Sequence, residues 1–357
     1  MRLCHLLAIL LLASMLIPRV FCQQSAVTPA VELPKDPRAL FAIARPHYDF
    51  SDPSLRPWHL KALYQLLDEK GNPSDQGTFE YWWASPKVHR STWTRTGATH
   101  SEWHTADGKL SYLDSGKSIS LFEYKLEPAI LNPLPTDTEL DSEKNRLDRE
   151  ELKLGSVKLP CIMIVPIMPQ HGKIQVVPLG LFPTYCFNPS VPALQVRNSF
   201  GTVAEYLDRI ASMNGHYVPR EIKFFEGKQN VLTANVETID GISPTDPAFT
   251  PIPTAISPKT DKATIAAGIM TGMLIKKQAP IYPQDAKDAR VSGKVVLGAT
   301  IGRDGKIHDL RVEEAPWPSL VAASLIAVSK WEYKPYLLNG EPVEVETTIT
   351  VIFELGR

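Results

Sequence analysis

Trp58, Leu60, Ala62, Tyr64 and Leu66 alternate with His59, Lys61 and Gln65. This is the period of two that a strand with one buried face shows. Residues 69–73 read as a turn. Further strand patterns occupy 78–83, 89–95 through Trp93, and 100–105 with Trp103, and Asp107-Gly108 is a hairpin signal. Strand patterns resume at 162–167, 176–181, 194–207, 217–225 and 231–239. Helical spacing is confined to short pieces. Asp36 is a candidate N-cap before Pro37, with Ala39, Leu40, Ile43 and Ala44 on one face. Ile119, Phe122, Leu126 and Ile130 repeat at helical spacing, and the charged stretch 136–154 predicts an exposed helix.

A second pattern fills the C-terminal region. Val295, Leu297, Ala299 and Ile301 alternate as a strand, Gly302-Arg303-Asp304-Gly305 makes a tight turn, and His308, Leu310 and Val312 continue a second strand. Ser319 is a candidate N-cap. Leu320, Ala323, Ala327 and Trp331 then form one helix face, which Pro335 ends. Asn339-Gly340 is another turn. Val343, Val345, Thr347, Ile349, Val351 and Phe353 form a last strand, with Glu344, Glu346 and Glu354 on its other face. Strand, strand, helix, strand suits an antiparallel sheet covered by a helix. The expected fold class is α+β. A mostly antiparallel β domain with a few helices covers 36–250, a linker 251–271, and a small β-β-α-β domain 272–357.

Composition narrows the classes. Lys plus Arg is 38 and Asp plus Glu 39, a net charge of −1, so no global field favours nucleic acid. The 31 prolines in 357 residues are nearly twice the usual share of about 5% and disfavour a long-helix bundle. The apolar run 3–17 after Arg2, ended by Pro18 and Arg19, reads as a signal peptide or membrane anchor within 1–22. Val20 and Cys22 suit a cut before Gln23, and bulky Phe21 argues against lipidation of Cys22. A cleaved signal peptide is favoured over an inner-membrane anchor. Either places the remainder outside the cytoplasm. Cys161 and Cys186 are then the cysteines of the mature chain. A disulfide is favoured over a reactive thiol, because no CxxC spacing is present.

Several stretches of the C-terminal region occur in order: Ala279-Pro280-Ile281-Tyr282-Pro283, residues 292–297, 301–307 and 330–335, Asn339-Gly340-Glu341-Pro342-Val343, and 351–355. In this order the region resembles the TonB C-terminal domain, the periplasmic part of energy-transducing proteins of Gram-negative bacteria. The resemblance covers about a quarter of the chain. It implies a domain that does no chemistry, needs no cofactor, and grips an outer-membrane receptor by adding that receptor's strand to its sheet edge. Carried over to this chain, the docking edge is the last strand, with Val345, Thr347, Ile349, Val351 and Phe353, and Gln278 and Tyr282 lie near the contact. Two departures stand out. There is no proline-rich spacer, and a domain of over 200 residues occupies its place. An inner-membrane motor complex as partner follows from the resemblance alone.

The first domain resembles, more faintly, the lipoprotein-carrier half-barrels, in which a curved sheet shelters acyl chains. Trp58, Trp82, Trp93 and Trp103 are then candidates for inward positions around a lipid, and an ordinary tryptophan-rich β core is the alternative. His100-Ser101-Glu102-Trp103-His104 lacks the spacing of a helical zinc site. On a strand the two histidines lie about 13 Å apart, so solvent-facing histidines are expected and no metal. Neither GxSxG, P-loop nor strand-linked GxGxxG appears, so no catalytic residues are assigned. The expectation is a periplasmic strand-docking protein in outer-membrane transport. The alternative is a periplasmic carrier of lipid or lipoprotein, with the C-terminal domain as tether.

Overall fold

The computed structural model describes residues 33–355, apart from Pro53, Leu181, Asn214, Gly227, 168–178, 200–202 and 258–261. The leader lies outside these residues, as does most of the strand expected over 176–181. Among the described residues no helix is long and apolar enough to cross a membrane. Glu32–Arg357 form one compact unit.

The chain enters through α1 (Pro37–Ala44). The Asp36 carboxylate accepts the Ala39 N–H at 2.7 Å, and Pro37 opens the first turn. Two antiparallel meanders follow. The first comprises β1 (Trp58–Leu67), β2 (Pro73–Ser85), β3 (Val88–Arg95), β4 (Ala98–His104) and β5 (Leu110–Gly116). After the short helices α2 (Leu121–Tyr124) and α3 (Leu126–Leu131) comes the second: β6 (Asn145–Leu154), β7 (Val157–Pro166), β8 (Thr184–Phe187), β9 (Leu194–Ser199), β10 (Val203–Met213), β11 (His216–Glu226) and β12 (Gln229–Gly241). β12 pairs with β1. The result is one twelve-stranded sheet in the order β5-β4-β3-β2-β1-β12-β11-β10-β9-β8-β7-β6. Cys161 on β7 and Cys186 on β8 stand directly opposite each other and form a disulfide.

The sheet curves around its helices as a half-barrel. Tyr124 of α2 packs on His100 of β4, with ring centroids 5.3 Å apart, and Phe122 of the same turn packs on Phe224 of β11. Those strands are five spacings apart, about 24 Å in a flat sheet, so the sheet must close round this single helical turn. Phe41 of α1 packs edge-on against Tyr185 and Phe187 of β8. The concave face is thus filled by helix side chains. Glu123 sits fully buried in this core, where its carboxylate accepts from Tyr64 Oη at 2.7 Å, Arg95 Nε at 3.0 Å and the Ser120 N–H at 2.6 Å.

Two sequence expectations change here. Residues 145–154, expected within an exposed helix, form edge strand β6. Leu147 packs on the main core and Leu152 on the cluster around the disulfide; the charges that suggested a solvated helix instead guard an unpaired edge. Of the four tryptophans, Trp58 and Trp93 face the concave core, but Trp82 and Trp103 lie on the opposite face. There Arg90 is sandwiched between them, 4.5 and 4.7 Å from the two rings. The run Tyr81-Trp82-Trp83 hides which residue points inward, because all three are aromatic.

The remaining chain supplies β13 (Lys262–Thr264), α4 (Ala267–Gly272), β14 (Leu274–Lys276), α5 (Gln284–Asp288), β15 (Gly293–Ile301), β16 (Ile307–Glu314), α6 (Pro318–Val328), β17 (Glu332–Tyr333), β18 (Leu337–Leu338), β19 (Glu341–Pro342) and β20 (Glu344–Phe353). Four strands form a sheet in the order β13-β20-β15-β16, under α6. The segment 251–271, expected as a linker, therefore contributes a strand and a helix. The residue that occupies the N-cap position of α6 is Trp317, not Ser319, because Pro318 takes the first helical position that proline favours. The helix ends at Val328, well before Pro335. Trp331 lies beyond it, buried, with its Nε1 donating to the Gln278 carbonyl at 2.8 Å. Asn339 and Gly340 both have positive φ, as the tight β18–β19 hairpin requires. At Gly305, φ is +78°, and a Cβ there would lie 2.0 Å from the Tyr333 carbonyl oxygen, so the turn demands glycine.

The small sheet is not a loose appendage. Met163, Val165 and Phe182 from the large-sheet body share one core cluster with Leu297, Leu325 and Phe353.

Candidate functional site

The expected docking residues converge on β20, but in two different roles. Val345, Thr347, Ile349, Val351 and Phe353 are all buried. They hold the strand to the core and offer no side chain to a partner. β20 pairs with β15 without a register shift, from Val345↔Ile301 to Phe353↔Gly293. Backbone N–H and C=O groups alternate sides along a strand. The Glu346 carbonyl points away from β15, since it accepts the Ile265 N–H at 2.9 Å. By that parity Thr348, Thr350 and Ile352 present their N–H and C=O groups to the outer edge. β13 covers that edge only over Glu344–Glu346, in parallel. Beyond it, no strand among the described residues pairs with the row flanked by half-exposed Thr348 and exposed Thr350 and Ile352.

Tyr282 packs edge-on against Phe353, with centroids 5.3 Å apart, and its hydroxyl donates to the Val291 carbonyl. It therefore fixes the end of β20. Gln278 is exposed, and its carbonyl is taken by Trp331.

A second constellation went unseen in the sequence. The β15–β16 turn reaches into the mouth of the large sheet's concave face, around a cavity of about 390 Å³ lined by Trp93, His100, Glu102, Tyr124, Glu127 and Arg303 among others. Arg303 Nη1 lies 3.1 Å from Glu102 Oε1, and its guanidinium stacks 4.4 Å from the Tyr112 ring. Glu102 Oε1 is also 3.3 Å from His100 Nε2, and His100 Nδ1 is 2.5 Å from Asp114 Oδ1. His308 lies on Tyr124, with centroids 4.1 Å apart. Gly302 makes room for it, because a Cβ there would meet the imidazole at 2.1 Å.

These environments set the charges. Burial opposes a charge on His100, but Asp114 and Glu102 outweigh it and raise its pKa to about 9. Burial likewise works against the Glu102 carboxylate, yet His100 and Arg303 hold its pKa down to about 2. For Glu127 the pull of Ser91 and His100 is too small to offset burial. Burial, and then the charge of Glu102, push its pKa up to about 7. Of the histidines expected to face solvent, His100 is buried, and His104 is half-buried and stacks on His89 with centroids 4.2 Å apart. Among the described residues no group of three or more His, Cys, Asp or Glu is placed to hold a metal ion. A signal for the cluster existed in the polar alternation His100, Glu102, His104 on one strand face. Its partners Arg303 and His308 lie some two hundred residues away.

Comparison with known proteins finds a family match in the C-terminal part of the chain. Residues 278–355 match the family model described as Gram-negative bacterial TonB protein C-terminal. Protein TonB of Pseudomonas aeruginosa is 28% identical over 99 residues, 26% of this chain and 29% of that protein. The chain therefore spans under a third of that curated relative. The solution structure of the Pseudomonas aeruginosa TonB C-terminal domain is 27% identical, covering 24% of this chain and 86% of that one, with a TM-score of 0.21. A LolA superfamily protein from Nitrosomonas europaea covers 60% of this chain and 97% of its own, at 8% identity and a TM-score of 0.33. The last part of the chain, residues 278–355, carries the TonB C-terminal pattern that its motifs pointed to, and the twelve-stranded sheet lies outside that match.

Proposed function

We propose that this chain is a Gram-negative envelope protein that captures an extended segment of a partner polypeptide by strand addition to β20, in the service of outer-membrane transport. The observation that carries the reading is the outer edge of β20. Its buried side chains anchor the strand, while the backbone of Thr348, Thr350 and Ile352 faces outward. Affinity then comes from main-chain hydrogen bonds, and side-chain pockets contribute little. The TonB C-terminal match over 278–355 supports a receptor segment as the partner class. In this reading the half-barrel is the platform that holds the small sheet, through the shared apolar core and the Glu102–Arg303 pair.

The test is titration of the full chain with short peptides from outer-membrane receptors, followed by fluorescence anisotropy. Thr350→Pro removes an outward N–H without touching the β15 ladder. Binding in the parent and a loss of about tenfold or more in the folded variant support the reading. A folded Thr350→Pro chain that binds as tightly as the parent places docking elsewhere.

A further inference from the structure

The edge assigned to the partner is already partly taken by the chain itself. β13 lies parallel to β20, with Lys262 opposite Glu344, Ala263 opposite Val345 and Thr264 opposite Glu346. The Ile265 N–H continues the pairing to the Glu346 carbonyl. Lys262 Nζ bridges both acids, 3.2 Å from Glu344 and 2.7 Å from Glu346. This is strand addition carried out internally, in one orientation and with one charge match.

We infer that Lys262–Thr264 is a built-in occupant of the docking edge, which a partner strand displaces by pairing parallel to β20 with a lysine or arginine opposite Glu344 and Glu346. The inference rests on the docking reading above and adds to it a competitor, a direction and a charge preference.

Three features make β13 suited to displacement. It is three residues long, so few ladder bonds hold it. Lys262 and Thr264 are exposed and Ala263 is small, so little apolar area is lost when it leaves. The chain after it is held independently, because Met270 of α4 is buried in the small-sheet core. Peeling 262–265 away lifts Ile265, which packs on that core, but leaves Met270 to hold α4. The geometry also gives a partner reason to displace it. The open part of the edge offers outward backbone groups at only Thr348, Thr350 and Ile352, whereas a strand that replaces β13 gains Glu344 and Glu346 as well. β13 cannot use the rest of the edge itself, since the chain turns into α4 at Ala267. The acidic pair needs a cation: Lys262 holds the Glu346 carboxyl below its usual range, and the two neighbouring acids would repel each other without one. A partner strand bearing an acid at that position would be opposed.

The test uses the full chain and a labelled peptide copying residues 262–267, Lys-Ala-Thr-Ile-Ala-Ala, read by fluorescence anisotropy. Ala263 shares the parity of Ile265, so Ala263→Pro removes an N–H directed at β20. Lys262→Glu is the second variant, which keeps the backbone and reverses the anchoring charge. Expected are binding at least about tenfold tighter to Ala263→Pro than to the parent, and about two- to threefold tighter to Lys262→Glu. A peptide with Glu in place of Lys should bind Ala263→Pro several-fold more weakly than the basic one, with the gap narrowing in high salt. Equal binding to parent and both variants, abolished by Thr348→Pro, would overturn internal occupancy and leave docking at β20 intact. No binding to any variant would overturn internal occupancy, while the receptor-peptide titration above decides the docking reading. Equal affinity for the basic and acidic peptides would overturn the charge preference.

Discussion

The far edge of the large sheet and the outer edge of the small one face the same hazard and meet it in opposite ways. β6 carries Arg146, Asp148, Arg149, Glu150, Glu151 and Lys153 in ten residues. Any strand approaching it would bury charge. At the other end of the large sheet, Tyr112 of β5 and Ile256 exchange two backbone bonds of 2.8 Å, which closes part of that edge. β16 exposes Asp309, Arg311, Glu313 and Glu314. β20 alone among these offers an uncharged row, Thr348, Thr350 and Ile352, and its acids are confined to the part that β13 covers. An edge is made receptive by what is left off it as much as by what is put on it.

The contrast can be broken at several points. The largest effect is expected next to the guarded edge, where the Cys161–Cys186 bridge closes a loop of 25 residues. Loss of such a loop constraint costs about 3–4 kcal/mol. Cys161→Ala with Cys186→Ala should lower the urea midpoint accordingly while leaving peptide binding to β20 in the surviving folded chain unchanged. Loss of binding as well would mean that the two edges are not independent.

Proline scanning of β20 comes next. Ile349 directs its N–H into the β15 ladder and Thr348 outward, so adjacent prolines should act on different properties. Ile349→Pro should cost about 3 kcal/mol of stability, whereas Thr348→Pro should cost under about 1 kcal/mol and weaken peptide binding about tenfold. Denaturation and anisotropy on the same samples separate the two, and equal destabilisation at both positions would refute the parity of the strand.

The junction between the regions gives a pH test. The His100 pKa is raised in the folded chain, so its contribution is complete below the unfolded value of about 6.5 and is lost as pH rises through about 9. The Glu102 pKa is lowered, so its contribution is present above the unfolded value of about 4.3 and is lost as pH falls toward about 2. The pair is therefore strongest between about pH 4.5 and 6.5. Glu102→Gln should cost about 1–2 kcal/mol near pH 6, because it leaves Arg303 and His100 short of a carboxylate, and less near pH 9.5. A deficit that grows with pH would show that the pair does not hold the junction. The smallest energetic effect belongs to the edge guard: Glu150→Val with Lys153→Val, both exposed on β6, should leave stability within about 0.5 kcal/mol yet promote self-association, visible by light scattering. A variant that stays monomeric at high concentration would show that those charges are not the guard.

Much of this was legible from local pattern. Alternation marked β1 to β4, the Asp36-Pro37 pair marked the start of α1, and Asn339-Gly340 marked its hairpin. The ordered motifs of 279–355 identified the small sheet, because turn chemistry and period-two burial are written within a few residues. Edge charge was misread: 136–154 looked helical since a guarded strand and a solvated helix share a composition. Ser319 was misplaced because two rules competed and the proline won.

What the sequence alone determined is which short segments become strands, where they turn, and which residues of the last strand are buried. Each depends on neighbours within about ten positions. Only the tertiary structure decided which edge stays open, since that requires knowing that β13 stops after Thr264 and that Thr348, not Ile349, turns its N–H outward. It also decided that His100 and Glu102 become a charged clamp on Arg303. A carboxylate near an arginine two hundred residues away leaves no periodic trace in the chain, because long-range pairing is set by how the sheet curves and what closes its mouth.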